Sequence, residues 1–219
     1  MNITLPDGSI RKMENGSTGL DLANDIGPGL AKAAIAVSVN NIQRDLSDPI
    51  NEDSEVSIIT FDSDEVLEIM RHTLTAQVLA RAVKNLYPNT KLAIGPTIKD
   101  GFYYDFEFVK PIAPDDLDKI EKEMQKIVNS KSSITKKLQT KKEALKVFNS
   151  AGESYKESII EESEQEEDFQ LYYQDDDAFV DLCRGPHLPS LKHIGAFKLT
   201  KLAGAYWKGD SKNKMLTRI

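Results

Sequence analysis

The sequence predicts an α+β fold on three observations: short strand-and-turn signals fill the first sixty residues, a long helical period follows directly, and an aromatic alternating run separates that helix from the next ones. Ile3-Thr4-Leu5 runs into Pro6-Asp7-Gly8-Ser9, where Pro presets φ and Gly accepts φ > 0, so a β-hairpin opens the chain. Ser17-Thr18 offers a capping hydroxyl to apolar positions at helical spacing, and Gly27-Pro28-Gly29 stops them, which predicts one short helix. Strands follow at Ala34 to Val39 and at Val56 to Phe61, around the acidic, turn-prone stretch Ser47 to Ser54. Hairpin, helix, then more strands is the order of a small β-grasp domain, assigned to residues 1–61.

From 62 to 219 the pattern is that of a larger α+β domain with an antiparallel sheet and helices. Asp62-Ser63-Asp64-Glu65 loads acid onto a helix start, and Leu67, Met70, Leu74, Val78 and Leu79 keep the period of a helix from about Asp64 to Leu86. Leu92 to Pro96 and Asp100 to Phe108 read as strand, turn and aromatic strand with one buried face. Leu117, Ile120, Met124 and Ile127 stripe one helix, and Thr140 to Phe148 forms a shorter one. The acidic run Glu161 to Asp168 reads as a solvated loop.

The 219 residues carry 28 Lys+Arg against 35 Asp+Glu, a formal charge of −7, with 40% hydrophobic residues. That apolar share supports a true core. The acidic balance argues against a general nucleic-acid coat protein but leaves room for a local basic groove. No apolar run approaches the roughly 18–20 residues of a membrane-spanning helix, and the start lacks the basic and apolar regions of a signal peptide. A cytoplasmic protein without membrane contact is expected. The single cysteine, Cys183, rules out an internal disulfide and any zinc site of several thiolates.

Of three histidines, His72, His187 and His193, two lie in suggestive settings. Cys183-Arg184-Gly185-Pro186-His187 places a thiol and an imidazole at i and i+4 across a Gly-Pro turn, spacing that either joins them at one point or leaves a buried thiol and a surface ring. Asp181 and the run Ala203 to Asp210, with Trp207, enrich this end in polar and aromatic groups. His72 sits on the long helix beside Arg71, where a lone histidine is either structural or functional.

These residues also carry a resemblance. LPDGS at 5–9 and DIGPGLAKA at 25–33 make residues 3–61 similar to a TGS domain. RH at 71–72, IGPTIKDGFYYDF at 94–106, GESYK at 152–156, DLCRGPH at 181–187 and AGAYWKGDSKNKMLTRI at 203–219 make the remainder similar to the editing domain of bacterial threonyl-tRNA synthetases. The resemblance covers essentially the whole chain in the family's order and implies an N-terminal fragment, TGS plus editing domain, without the aminoacylation core. Its implied activity is hydrolysis of serine wrongly esterified to threonine tRNA. One methyl is worth only ~1–3 kcal/mol in a synthetic pocket, so serine must be removed at a second site.

By that resemblance His72 and Lys156 are catalytic, positioning and activating water, and Tyr104, Asp181, Cys183, His187 and Gln77 bind substrate. A thiolate nucleophile is the rival role for Cys183, and a solvated loop lysine is the plainer reading of Lys156. The family usually shows His-x-x-x-His on this helix. Here Ala76 stands at i+4, and aligning LARAVKNLYP instead puts Gln77 there with one residue inserted after His72. A π-bulge absorbs such an insertion and turns Gln77 inward, whereas a regular helix puts i+5 about 140° round from His72. No cofactor is expected, with zinc at His72, Cys183 and His187 as the alternative. The implied partners are the serine-bearing acceptor end of threonine tRNA and the catalytic core of the full-length synthetase, with the fragment itself monomeric. A tRNA acceptor-arm binding module that has lost hydrolysis is the alternative function, its phosphate contacts drawn from lysine-rich stretches such as Lys136-Lys137.

Overall fold

A computed structural model describes residues 1–175 and 177–219. Two compact units emerge: Met1–Met70 with Gly185–Pro189, and Arg71–Arg184 with Ser190–Ile219.

The first unit is a mixed five-stranded sheet of β1 (Asn2–Thr4), β2 (Ile10–Lys12), β3 (Ala34–Val39), β4 (Ile42–Asp45) and β5 (Ser54–Thr60), in the order β2-β1-β5-β3-β4. Only β1 and β5 run parallel, the β-grasp arrangement. Helix α1 (Gly19–Ile26) begins at a capping box in which Thr18 and Asp21 exchange side-chain-to-backbone bonds. Its Leu22 enters a core with Ile3, Val37, Val39, Ile50 and Val56. Two expectations need correction. Gly27 does cap the end of α1, as expected, but the same Gly27-Pro28-Gly29 stretch starts a second helix, α2 (Pro28–Ala33), because proline's fixed φ and missing N–H suit the first helical position. Strand β4 was hidden by its polar sequence IQRD, which pairs along β3 with only Asp45 buried.

Next comes a continuous helical run of α3 (Val66–Thr73), a π-helical turn over Leu74–Leu79 and α4 (Ala80–Leu86). The Ala80 N–H reaches back five residues to the Thr75 carbonyl, as a π-turn requires. The second unit adds β6 (Lys91–Leu92), β7 (Thr97–Ile98), β8 (Gly101–Phe102), β9 (Asp105–Glu107), α5 (Asp116–Ser130), β10 (Ile134–Gln139), α6 (Lys141–Ser150), α7 (Ser154–Glu162), β11 (Phe169–Gln174), β12 (Phe179–Leu182), β13 (Ala203–Tyr206) and β14 (Met215–Arg218). Its strands form antiparallel sheets β10-β11-β12 and β13-β14-β9-β6, with β7-β8 as a small hairpin.

Leu171 and Tyr173 pack with Ala144, Phe148 and Ile160, so α6 and α7 cover one face of the β10-β11-β12 sheet. The acidic run Glu161 to Asp168 is exposed apart from half-buried Ser163, as its charge density predicts, but Glu161 and Glu162 form the end of α7 rather than a loop. Helix α7 itself left almost no periodic signal, since its only apolar residues are Tyr155, Ile159 and Ile160. Among the described residues no helix is long and apolar enough to cross a membrane.

Candidate functional site

The register of β11 with β12 sets the site. Tyr172 lies opposite Asp181 and Gln174 opposite Phe179, so these four side chains share the face that α6 and α7 leave uncovered. Beyond β12 the chain stays extended long enough for the Cys183 N–H to bond the Gln170 carbonyl at 3.2 Å. Cys183 therefore follows Asp181 on the same side, two residues on.

Asp181 is the hub. Its Oδ1 lies 2.6 Å from the Lys156 Nζ and accepts the Leu182 N–H at 2.8 Å, while Oδ2 accepts the Tyr104 hydroxyl at 2.9 Å. All three side chains are buried: Lys156 3% exposed, Asp181 1% and Tyr104 1%. The loop reading of Lys156 is thus corrected: it lies on α7, and its ammonium is enclosed. Burial, followed by the neighbouring Asp181 carboxylate, pushes the Tyr104 phenol well above its usual range. Tyr104 therefore remains a protonated donor to Asp181. Three donors from three different segments thus converge on Asp181, which orients Lys156 and Tyr104 relative to each other. The Lys156 Nζ also points at the Leu182 carbonyl at 3.5 Å and lies 5.4 Å from the Tyr104 ring centroid, so one of its three N–H groups has no oxygen or nitrogen acceptor among the described residues.

Tyr104 is fixed from two sides. Its N–H and C=O both pair with Ile219, at 3.0 and 3.1 Å, and its ring stacks on Phe106. Gly95 packs so closely that a Cβ there would collide with the Tyr104 ring and with Thr75 Oγ1, which itself bonds the Tyr103 carbonyl at 2.6 Å. Gly95→Ala should therefore destabilise the protein by about 1–3 kcal/mol through overpacking and loosen Tyr104; a thermal melt unchanged from wild type would refute the constraint.

His72, at the end of α3, places Nε2 2.9 Å from the Cys183 Sγ, and both residues are partly exposed. Within the second unit the structure thus brings together a thiol–imidazole pair and a buried Lys–Asp–Tyr network along one strand end. His187 belongs to the first unit, where its backbone N–H donates to Asp45 Oδ1 at 2.8 Å. Gln77 lies in the π-turn with no exposed surface, its Oε1 accepting from Gln174 Nε2 at 2.9 Å, so it faces β11 and not solvent.

Sequence reading missed a second, partly buried ion pair that supports this region. Glu153, 3% exposed, accepts from Lys84 Nζ at 2.6 Å and from the Leu92 N–H at 2.7 Å, tying the start of α7 to α4 and β6. The motif GESYK held the signal, but nothing in it distinguishes a buried glutamate from an exposed one.

Comparison with known proteins agrees with this architecture. A family described as "TGS domain" matches residues 1–60, and one described as "Threonyl and Alanyl tRNA synthetase second additional domain" matches residues 170–219. Threonine–tRNA ligases are similar along the whole chain: that of Hahella chejuensis is 51% identical over 217 residues (99% of this chain, 34% of the relative), and that of Paramagnetospirillum magneticum is 52% identical over 219 (99% and 34%). The enzyme of Francisella philomiragia is 51% identical over 219 residues, covering 100% of this chain and 34% of its own length. The chain spans about a third of the length of these curated relatives. It thus carries a TGS domain followed by the second additional, or editing, domain of threonyl-tRNA synthetases, and corresponds to the N-terminal region of those ligases.

Proposed function

We propose that this chain hydrolyses the serine ester mischarged on threonine tRNA, as the editing part of a threonyl-tRNA synthetase acting in the cytoplasm. The observation that carries the proposal is the enclosed Lys156–Asp181–Tyr104 network beside the His72–Cys183 pair. Water attacks the ester carbonyl carbon, the bond from that carbon to the terminal ribose oxygen breaks, and the ribose oxygen leaves as a hydroxyl. His72 takes the proton from the attacking water and returns it to the departing ribose oxygen. The uncommitted Lys156 N–H stabilises the oxyanion that develops, a role for which a pre-oriented donor in an enclosed setting is well suited. Cys183 and Tyr104 shape the serine pocket. The route needs no cofactor; zinc at stoichiometric level in the purified protein would replace it with a metal-assisted one.

The partners proposed are the acceptor end of threonine tRNA and the synthetase's catalytic core. Single-turnover deacylation tests the reading. Seryl ester on threonine tRNA should be hydrolysed in clear preference to threonyl ester, because the extra methyl clashes or displaces the water. Equal rates for the two esters would remove the selectivity claim. Binding without hydrolysis would favour the acceptor-arm module instead. The isolated chain should sediment as a monomer at micromolar concentration, and a tight dimer would contradict that.

A further inference from the structure

The π-turn leaves one buried donor unused, and the groups behind it dictate which way that donor points. Arg81, four residues after Gln77, places Nη2 2.7 Å from Asp175 Oδ2 and donates from Nη1 to Gln174 Oε1 at 3.0 Å. A guanidinium only donates, so the oxygen of the Gln174 amide must face Arg81 and its nitrogen must face the helix. That nitrogen donates to the Gln77 carbonyl at 2.7 Å and to Gln77 Oε1 at 2.9 Å. The Gln77 amide is thereby fixed in turn: its oxygen meets Gln174, and Nε2 is turned away. This Nε2 is buried and has no hydrogen-bond partner among the described residues. A buried donor left unpaired is unfavourable and rare enough to need a reason.

Its position supplies one. Gln174, which holds Gln77, is the diagonal neighbour of Asp181 on one sheet face, about 7–8 Å away at usual sheet dimensions. His72 reaches Cys183 further along that same strand. The helical run from His72 to Gln77 thus lies over the face that carries Asp181 and Cys183.

We propose, resting on the hydrolase reading, that Gln77 Nε2 donates to the oxygen of the attacking water, and that Arg81 and Gln174 are positioning residues that fix the amide for this purpose. A water used in this way accepts one hydrogen bond from Gln77, gives a proton to His72 and keeps its other lone pair for the carbonyl carbon. A neutral amide suits this task because it holds the donor at every pH.

Two sets of variants of the full chain test this, using seryl-esterified threonine tRNA in single turnover. Gln77→Met removes the donor but spares the anchor, since Gln174 Nε2 keeps the backbone carbonyl of residue 77. Its rate should fall about ten- to a hundredfold, the range for one positioned hydrogen bond, with the melting temperature and the midpoint of the pH–rate profile unchanged. Arg81→Met should lose a smaller factor, about three- to tenfold, and Arg81→Lys should recover most of it by restoring a donor to Gln174. A wild-type rate in Gln77→Met, or a slow rate accompanied by a lowered melting temperature and a shifted pH midpoint, overturns the donor role. Equal rates in Arg81→Met and wild type overturn the positioning role. A wild-type chain that is itself inert on the ester overturns the hydrolase reading, and this inference falls with it.

Discussion

Asp181→Ala should abolish measurable seryl-ester hydrolysis and lower the stability of the second unit by about 3–5 kcal/mol, because it strands the Lys156 ammonium in an enclosed site. At the usual slope for a chain of this size, that loss corresponds to a fall in melting temperature of about 6–20 °C. The reason lies in how completely the three groups satisfy one another. Asp181 accepts from Lys156, Tyr104 and the Leu182 N–H, and no other acidic side chain pairs with Lys156 among the described residues. The same physics predicts a rescue. In the triple variant Lys156→Met/Asp181→Leu/Tyr104→Phe no charge or hydroxyl is left without its partner, and buried ion pairs replaced by apolar groups of similar volume are commonly neutral or stabilising. Its melting temperature should return to near wild type while hydrolysis stays absent. A triple variant as unstable as Asp181→Ala would show that the network is needed for folding, and a triple variant that still hydrolyses the ester would show that Lys156 plays no part in the chemistry.

Sequence was most informative where a local rule acts alone. The turn at Pro6-Asp7-Gly8, the Thr18 cap and the long amphipathic run after Asp62 each have a mechanism contained within a few residues, and each is present in the structure. It was least informative where pairing decides the conformation. Strand β4, with the sequence IQRD, exists because β3 lies beside it, and α7 exists because Ile160 and Tyr155 find buried partners despite a weak helical period. The site divides in the same way. The i and i+2 spacing of Asp181 and Cys183 on one strand face follows from strand geometry once β12 is known. The enclosure of Lys156 does not, since a lysine in GESYK carries no sign that a carboxylate and a phenol await it from distant segments. The π-bulge expected after His72 on one of two possible alignments is present as the π-turn over Leu74–Leu79, and Gln77 is buried against β11. Arg81 and Gln174, by contrast, meet only because β11 passes the helix, a contact between residues 93 apart in the chain.

His72→Ala should lower single-turnover hydrolysis by about one to three decades with little effect on stability, because His72 is partly exposed and the loss is that of a positioned proton acceptor. The companion variant Cys183→Ala distinguishes two chemistries that share the same 2.9 Å contact. In the water route the thiol orients the imidazole and lines the pocket, so its removal should cost no more than about tenfold, the worth of one modest hydrogen bond. In the thiolate route His72 takes the proton from Cys183, Sγ attacks the ester carbon and the ribose oxygen departs with that proton, leaving a seryl thioester that a water must then cleave. That route predicts loss of activity in Cys183→Ala as complete as in the Asp181 variant, together with a covalent adduct of one seryl group detectable by mass spectrometry after rapid acid quench. The water route predicts no such adduct at any time point. Because the attacking atom differs, the two outcomes cannot coincide: a trapped thioester with an inert Cys183→Ala assigns attack to sulfur, whereas retained turnover in Cys183→Ala beside a crippled His72→Ala assigns it to water held at the imidazole.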